Sequence, residues 1–525
     1  MTDEKRTNHD IDTQAQQAHL AAHEQELADA MSGCGPGVAI PVSGGSGSEE
    51  PSGGADYIEP AEAPAHSGGH PSWVPKFGKR PEGAAGGHPG GHPEGVDRQR
   101  HGGARSVGFR PGGGPEALAY EERTGIKAPR ILAWEITRSC NLSCAHCRAA
   151  SEFGHYDGEL TLDEIKSVID NIVTISNPIL ILTGGEPLMR PDIWDIIDYA
   201  HEKGAMPVVG TNATLITDDI ARKLAEHKIP RISVSIDFAT AAGHDTFRGE
   251  PGAFDASIRG IKLAKKYGVG VQINTTVTKQ NHKELPAIHD LAEDLGIDAF
   301  HIFMLVPTGR GSDLLEYELT PDESEEVLTW AYHRQKTSPL HFKPTDSPHY
   351  YRIIRQLAKE EGREVTAAEY GLDAMTRGCL GGITFGFISH VGDIQPCGYF
   401  DMQLGNVKRK PFADIWTESA VFNNLRNYSL LKGKCGACEY RGVCGGCRAR
   451  ALELTGDYME EEPYCAYIPA KWTDEDAAAG AERLKTLIDE YAANPYPHVA
   501  PDAEPAAPTH LTADASLPAS RLTSI

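Results

Sequence analysis

No stretch of about 18 apolar residues occurs in this chain, which excludes an ordinary transmembrane helix. The start, Met1-Thr-Asp-Glu-Lys-Arg, lacks the apolar core of a signal peptide. Positive charge is scarce: 50 Lys and Arg face 74 Asp and Glu, a formal charge of −24. Such a field disfavours nonspecific binding to nucleic acid or an anionic membrane, yet leaves room for a basic pocket within the fold. A leaderless chain with clustered cysteines points to the reducing cytoplasm and to metal ligation rather than disulfides.

The first quarter is poor in apolar residues. Residues 1–127 are rich in Gly, Pro, Ser and His and read as a disordered tail, too apolar-poor to offset the entropy of ordering. Its histidines, including His66, His70, His88, His92 and His101, read as a solvated tail or as a store for a metal, and Cys34 as a free thiol.

From Pro129 apolar runs alternate with amphipathic stretches. Strands are predicted near 130–137, 178–183, 206–211, 231–237, 270–277 and 299–306. Helices are predicted near 162–175, 191–203, 217–227, 254–267, 285–295 and 321–336, the first opened by the capping box Thr161-Leu-Asp-Glu164. Six strands alternating with helices imply an α/β fold with a parallel sheet curled into a partial (β/α)6 barrel over 128–340. Such barrels carry their chemistry at the C-terminal ends of the strands. Residues 341–375 read as a helical connector, 376–470 as a small cysteine-rich domain whose thin core needs a staple, 471–493 as a helix and 494–525 as a loose tail.

Ten of the eleven cysteines form two packages. The first is Cys140-Asn-Leu-Ser-Cys144-Ala-His-Cys147, directly after the first strand. Three thiolates at this spacing hold three irons of a [4Fe-4S] cube and leave the fourth open to a small molecule. Zinc held by the three cysteines and His146 is the competing reading, although adjacent His146 and Cys147 ligands suit a tetrahedral site poorly. Thr183-Gly184-Gly185-Glu186-Pro187 follows the second strand, on the same expected face. The second package has seven cysteines: Cys379, Cys397, Cys435, Cys438, Cys444, Cys447 and Cys465. Its two CxxC pairs would also suit zinc.

The first package together with the Gly-Gly-Glu-Pro turn resembles the radical S-adenosylmethionine (SAM) enzymes. The second resembles the SPASM extension that carries auxiliary iron–sulfur clusters, although only two residues, Gly445 and Gly446, precede Cys447 where three are usual. The resemblance implies SAM chelated at the open iron, with Glu186 taking its ammonium and Asn212, Ser235, Asp237 and Asn274 near its carboxylate and ribose. It implies one cluster on Cys435, Cys438, Cys444 and Cys465, leaving Cys379, Cys397 and Cys447 for a second, so one or two auxiliary [4Fe-4S] clusters.

Several further stretches are similar to the heme b synthase branch of the siroheme-dependent heme pathway: Pro129–Thr137, His301–Gly311, Pro348–Arg352, Gly378–Gly382, Phe387–His390 and Cys435–Arg450. Gly386 departs from that branch, where a cysteine is expected. The resemblance implies oxidative decarboxylation of two propionates of iron-coproporphyrin III to the vinyl groups of heme b, with a ferredoxin- or flavodoxin-type electron donor. A tetra-anionic substrate needs fixed cations; Arg310, Arg352 and Lys343 are the candidates, and His349 or His390 could ligate its iron. The alternatives are another tetrapyrrole-tailoring radical SAM enzyme, a peptide maturase, or an iron–sulfur electron carrier.

Overall fold

The computed structural model of the protein describes residues 111–366 and 377–495. Cys34, the His-rich stretch before residue 111 and nearly all of the C-terminal tail lie outside the described residues.

The six expected strands are present: β1 (Ile131–Thr137), β2 (Ile179–Gly184), β3 (Met206–Thr211), β4 (Arg231–Ser235), β5 (Gly270–Val277) and β6 (Ala299–Met304). They pair in parallel and in sequence order. The expected helices lie between them, that after β1 capped as predicted by Thr161 and Glu164. Along β5 exposure alternates residue by residue: Val271, Ile273 and Val277 are buried, while Gln272, Asn274 and Thr276 are only partly covered. A parallel strand buried on both faces would be apolar throughout; this alternation reflects an inner face lined with polar groups.

The sheet is larger than six strands. A seventh, β7 (His341–Thr345), adds to β6 in parallel, so the segment read as a helical connector begins as a strand. Its Pro344 is tolerated because β7 is the sheet edge and needs no donor on its outer side. At the other edge β8 (Phe385–Ile388) pairs in parallel with β1, and β9 (Ile394–Gln395) pairs antiparallel with β8. The cysteine-rich segment therefore contributes strands to the barrel sheet, and one apolar core runs through both parts, from Leu132 and Ile136 to Trp416 and Phe422.

The stretch read as disordered to residue 127 also needs correcting at its end. A helix spans Pro115–Thr124, with Ala117 and Tyr120 buried. The Tyr120 hydroxyl meets Thr417 Oγ1 at 3.0 Å, and Trp416 Nε1 donates to the Lys127 carbonyl at 3.0 Å. Two apolar side chains one turn apart were enough once a partner surface existed. Among the described residues no helix is long and apolar enough to cross a membrane.

Candidate active site and iron–sulfur centres

The loop after β1 places Cys140, Cys144 and Cys147 together against Leu142 and Ala253. Each sulfur faces a donor: Leu142 N–H to Cys140 Sγ at 3.4 Å, Arg248 Nη1 to Cys144 Sγ at 3.7 Å and Ser151 N–H to Cys147 Sγ at 3.3 Å. Burial pushes the Cys140 thiol up to about 12, with the nearby charge of Glu186 adding to it. Without a metal this thiol stays protonated; donors aimed at sulfur fit thiolates held on a cluster.

The loop is locked to the turn after β2. Gly185 N–H donates to the Thr137 carbonyl at 2.9 Å and Glu186 N–H to the Ser139 carbonyl at 2.8 Å. A Cβ at Gly184 would lie 2.0 Å from the Thr137 oxygen and one at Gly185 2.1 Å from that of Ser139, so both positions require glycine.

Beside the three cysteines opens a cleft of about 210 Å³. Gly184, Gly185, Asn212, Ser235 and Asn274 line it, five of the seven residues expected to hold SAM. The other two, Glu186 and Asp237, do not line it. Glu186 is fully buried and its carboxylate is occupied: Thr211 Oγ1 and Asn212 N–H donate to it at 2.7 Å each and Leu188 N–H at 3.2 Å. It ties the β2 turn to the end of β3, and its side chain does not face the cleft as an ammonium acceptor must. Burial raises its pKa to about 7 against those donors.

Asp237 is likewise fully buried, accepting from Arg248 Nε at 2.6 Å and from Thr276 N–H at 2.8 Å. It aims Arg248, which lines the cleft and touches Cys144. Arg248 was missed in the sequence because it ends the helix Ala241–Arg248, whose Ala-Ala-Gly-His-Asp-Thr start shows no apolar period. His146 stacks on Phe247 with ring centroids 4.4 Å apart, and burial, then Arg248, holds it well below the ordinary imidazole pKa. His146, with an orphaned Nδ1, lines the same cleft as the three cysteines.

The three cations proposed for substrate carboxylates go to three different places. Arg310 does not line the cleft. Its Nε donates to the Cys144 carbonyl at 2.9 Å and its Nη1 to the Ser151 carbonyl at 3.0 Å, so it clamps the cysteine loop from behind. Arg352 is buried, forked onto Glu325 at 2.5 and 2.8 Å, and lines the cavity of the second cysteine package. Only Lys343 lies on the barrel's inner face. The strand register sets Ser235, Asn274, His301 and Lys343 in one row across β4 to β7. No hydrogen bond or ion pair holds Lys343 among the described residues. Neither candidate iron-ligating histidine reaches the cleft: His390 Nδ1 lies 2.7 Å from Glu135, and His349 lines the second cavity.

In that second, smaller cavity Cys435, Cys438, Cys444 and Cys465 come together, the four the SPASM resemblance groups. Backbone N–H groups of Glu462, Tyr440 and Gly446 donate to Cys435, Cys438 and Cys444 at 3.3, 3.4 and 3.4 Å. Gly445 and Gly446 take φ of 81° and 64°, so the two-residue spacer before Cys447 is accommodated by consecutive left-handed residues. Four thiols lining one cavity are the donor set that a cluster with no open iron would need.

Residues 134–292 match the radical SAM superfamily, and residues 379–447 match the SPASM iron–sulfur cluster-binding domain. Over 344 residues the chain is 51% identical to the AdoMet-dependent heme synthase of Nitratidesulfovibrio vulgaris, covering 66% of this chain and 94% of that protein. The chain belongs to the SPASM-bearing radical SAM family of the AdoMet-dependent heme synthases. The Methanosarcina barkeri protein of that name is 51% identical, with 66% of this chain and 98% of that protein covered. As a radical SAM enzyme it uses SAM at a [4Fe-4S] cluster and carries auxiliary clusters in its SPASM part. Streptococcus suis SuiB bound to S-adenosylmethionine shares the fold, with a TM-score of 0.53 at 20% identity over 68% of this chain and 80% of that one.

Proposed function

We propose that this radical SAM enzyme converts two propionate side chains of iron-coproporphyrin III to vinyl groups, forming heme b. The observation that carries this reading is the 51% identity to AdoMet-dependent heme synthases along 94% and 98% of their lengths. A second M. barkeri relative, named Fe-coproporphyrin III synthase, is 33% identical, covering 64% of this chain and 87% of that one; its name points to the porphyrin that the present enzyme would consume.

When bound, the open cluster and SAM supply a 5′-deoxyadenosyl radical. In each round the propionate carbon next to the ring would lose a hydrogen atom to that radical; carbon dioxide would then leave with one electron, passed to an oxidised auxiliary iron–sulfur cluster, giving the vinyl group. The Gly184-Gly185 backbone, Asn212, Ser235 and Asn274 hold the cofactor, and Arg248 offers the cleft a fixed cation kept charged by Asp237. Lys343 stands three strands from Ser235, about 14 Å along the same inner face. An unpaired ammonium there receives a carboxylate of a flat substrate whose reacting edge faces the cysteine loop. A ferredoxin- or flavodoxin-type protein would deliver the reducing electron.

The test is anaerobic incubation of the reconstituted protein with SAM, dithionite and iron-coproporphyrin III. Mass spectrometry should show loss of two carboxyl groups with 5′-deoxyadenosine formed in step. If 5′-deoxyadenosine appears while the porphyrin stays intact, the porphyrin assignment falls and the radical SAM chemistry stands.

A further inference from the structure

Three cysteines remain after the quartet is assigned: Cys379, Cys397 and Cys447. They sit within electrostatic reach of one another, each of Cys397 and Cys447 feeling Cys379. Arg450 N–H donates to Cys447 Sγ at 3.4 Å, a donor to sulfur like those in the other two sites. A fourth thiol is missing from this group. Every other cysteine among the described residues belongs to the first loop or to the quartet. The one position where the heme synthase resemblance called for a cysteine, Gly386, points elsewhere: a Cβ there would meet Leu132 at 3.1 Å and Trp416 at 3.2 Å, in apolar packing.

Asp346 stands where a ligand is lacking. It follows β7 at the C-terminal end of the strand, with a left-handed φ of 56° that a non-glycine residue holds only at a cost. Its Oδ2 is buried and has no hydrogen-bond partner. A bare carboxylate oxygen in such a place is expensive unless a cation or metal takes it up. Among the charges acting on Cys397 that of Asp346 is the largest, and it also acts on Cys447. Arg450 joins the two elements, its Nη2 donating to the Asp346 carbonyl at 3.2 Å while its own N–H faces Cys447. The charges of Arg450 and Lys343 act on the carboxylate, but neither side chain hydrogen-bonds to its Oδ2.

We propose that the Asp346 carboxylate is the fourth protein ligand of an auxiliary [4Fe-4S] cluster held by Cys379, Cys397 and Cys447. One iron of this cluster then carries oxygen instead of sulfur. The chain would bear two complete auxiliary clusters despite having seven cysteines for eight positions. The assignment is independent of which molecule the enzyme transforms.

Pulsed ENDOR on the full-length, reconstituted and dithionite-reduced protein, labelled with 13C at the aspartate side-chain carboxyl, reads the ligand directly. The unaltered protein should show a 13C hyperfine coupling to a reduced cluster. Asp346→Cys should lose that coupling at unchanged iron and sulfide content, and Asp346→Asn, closest in shape, should lose it too. No 13C coupling in the unaltered protein overturns the proposal without recourse to any variant. So does a coupling that survives in either variant.

Discussion

The two cysteine centres use the same local device and opposite surroundings. In both, backbone N–H groups and a buried arginine point at sulfur: Arg248 at Cys144 in the barrel, Arg448 Nη2 at Cys435 at 3.6 Å in the SPASM part. The barrel trio opens on a wide cleft edged by polar strand ends. The quartet lines a smaller cavity walled by Arg352, Lys434 and Arg441. Ligation by sulfur is thus common to both, and reactivity is decided by the wall the loop leaves open. A cluster with a free iron beside a cleft can bind and cleave a molecule, whereas a fully ligated one passes electrons or braces the fold.

The sharpest way to break this contrast is to remove ligands from each side. Cys140→Ala, Cys144→Ala or Cys147→Ala should reduce 5′-deoxyadenosine formation to background while iron analysis still finds the auxiliary clusters. Cys438→Ala should cost auxiliary iron and leave SAM cleavage measurable. Next in size, Arg248→Ala strands the Asp237 carboxylate in the interior. We expect a loss of roughly 3–5 kcal/mol in denaturant unfolding, with SAM binding weakened.

Glu186 gives a pH signature. Its carboxyl ionises near 4.5 in the unfolded chain and near 7 in the fold. As pH rises between those values the unfolded chain loses the proton first, so the stability contributed by this group falls, by up to roughly 3 kcal/mol, and is flat above. Unfolding free energies measured from pH 5 to pH 8 should show that slope and lose it in Glu186→Gln.

Arg310→Ala removes two hydrogen bonds from a charged group to the cysteine loop, worth about 2–3 kcal/mol. Iron occupancy of the barrel cluster should drop with the porphyrin KM unchanged; a raised KM at full occupancy would restore Arg310 as a substrate contact. The smallest effect is expected at Lys343→Ala: roughly tenfold on KM for the porphyrin, about 1.4 kcal/mol, with SAM cleavage unaffected.

The barrel was legible because its signals are local. Most of the six strands are short apolar or alternating runs, and the longer helices between them each show their own period. What escaped was non-local. The edge strand His341–Thr345 contains a proline and five residues, and its identity as a strand comes from β6 beside it. The barrel trio and the two cysteine packages could be read from spacing, since ligand spacing is a property of the chain itself, whereas the grouping within the second package came from the SPASM resemblance. Side-chain direction could not. Asp237 and Glu186 end strands as cofactor contacts do, yet each turns inward to hold a neighbour. Arg310 sits in a glycine-flanked loop as a substrate cation would, but Gly309 packs so tightly on the Arg148 carbonyl that the loop folds back onto the cysteines.

The pairing of β8 with β1 sets an order of events during synthesis. Ile131 finds Phe385, and Trp134 finds Ile388, only after nearly all of the barrel has left the ribosome. Until then one flank of the first strand, with its row of unmatched amides and carbonyls, is exposed to other nascent chains. A fragment ending before residue 385 would keep that flank permanently bare. The cysteine-rich part is therefore not a detachable module, and transplanting it or trimming it away would cost the cell a soluble barrel as well as the auxiliary metal.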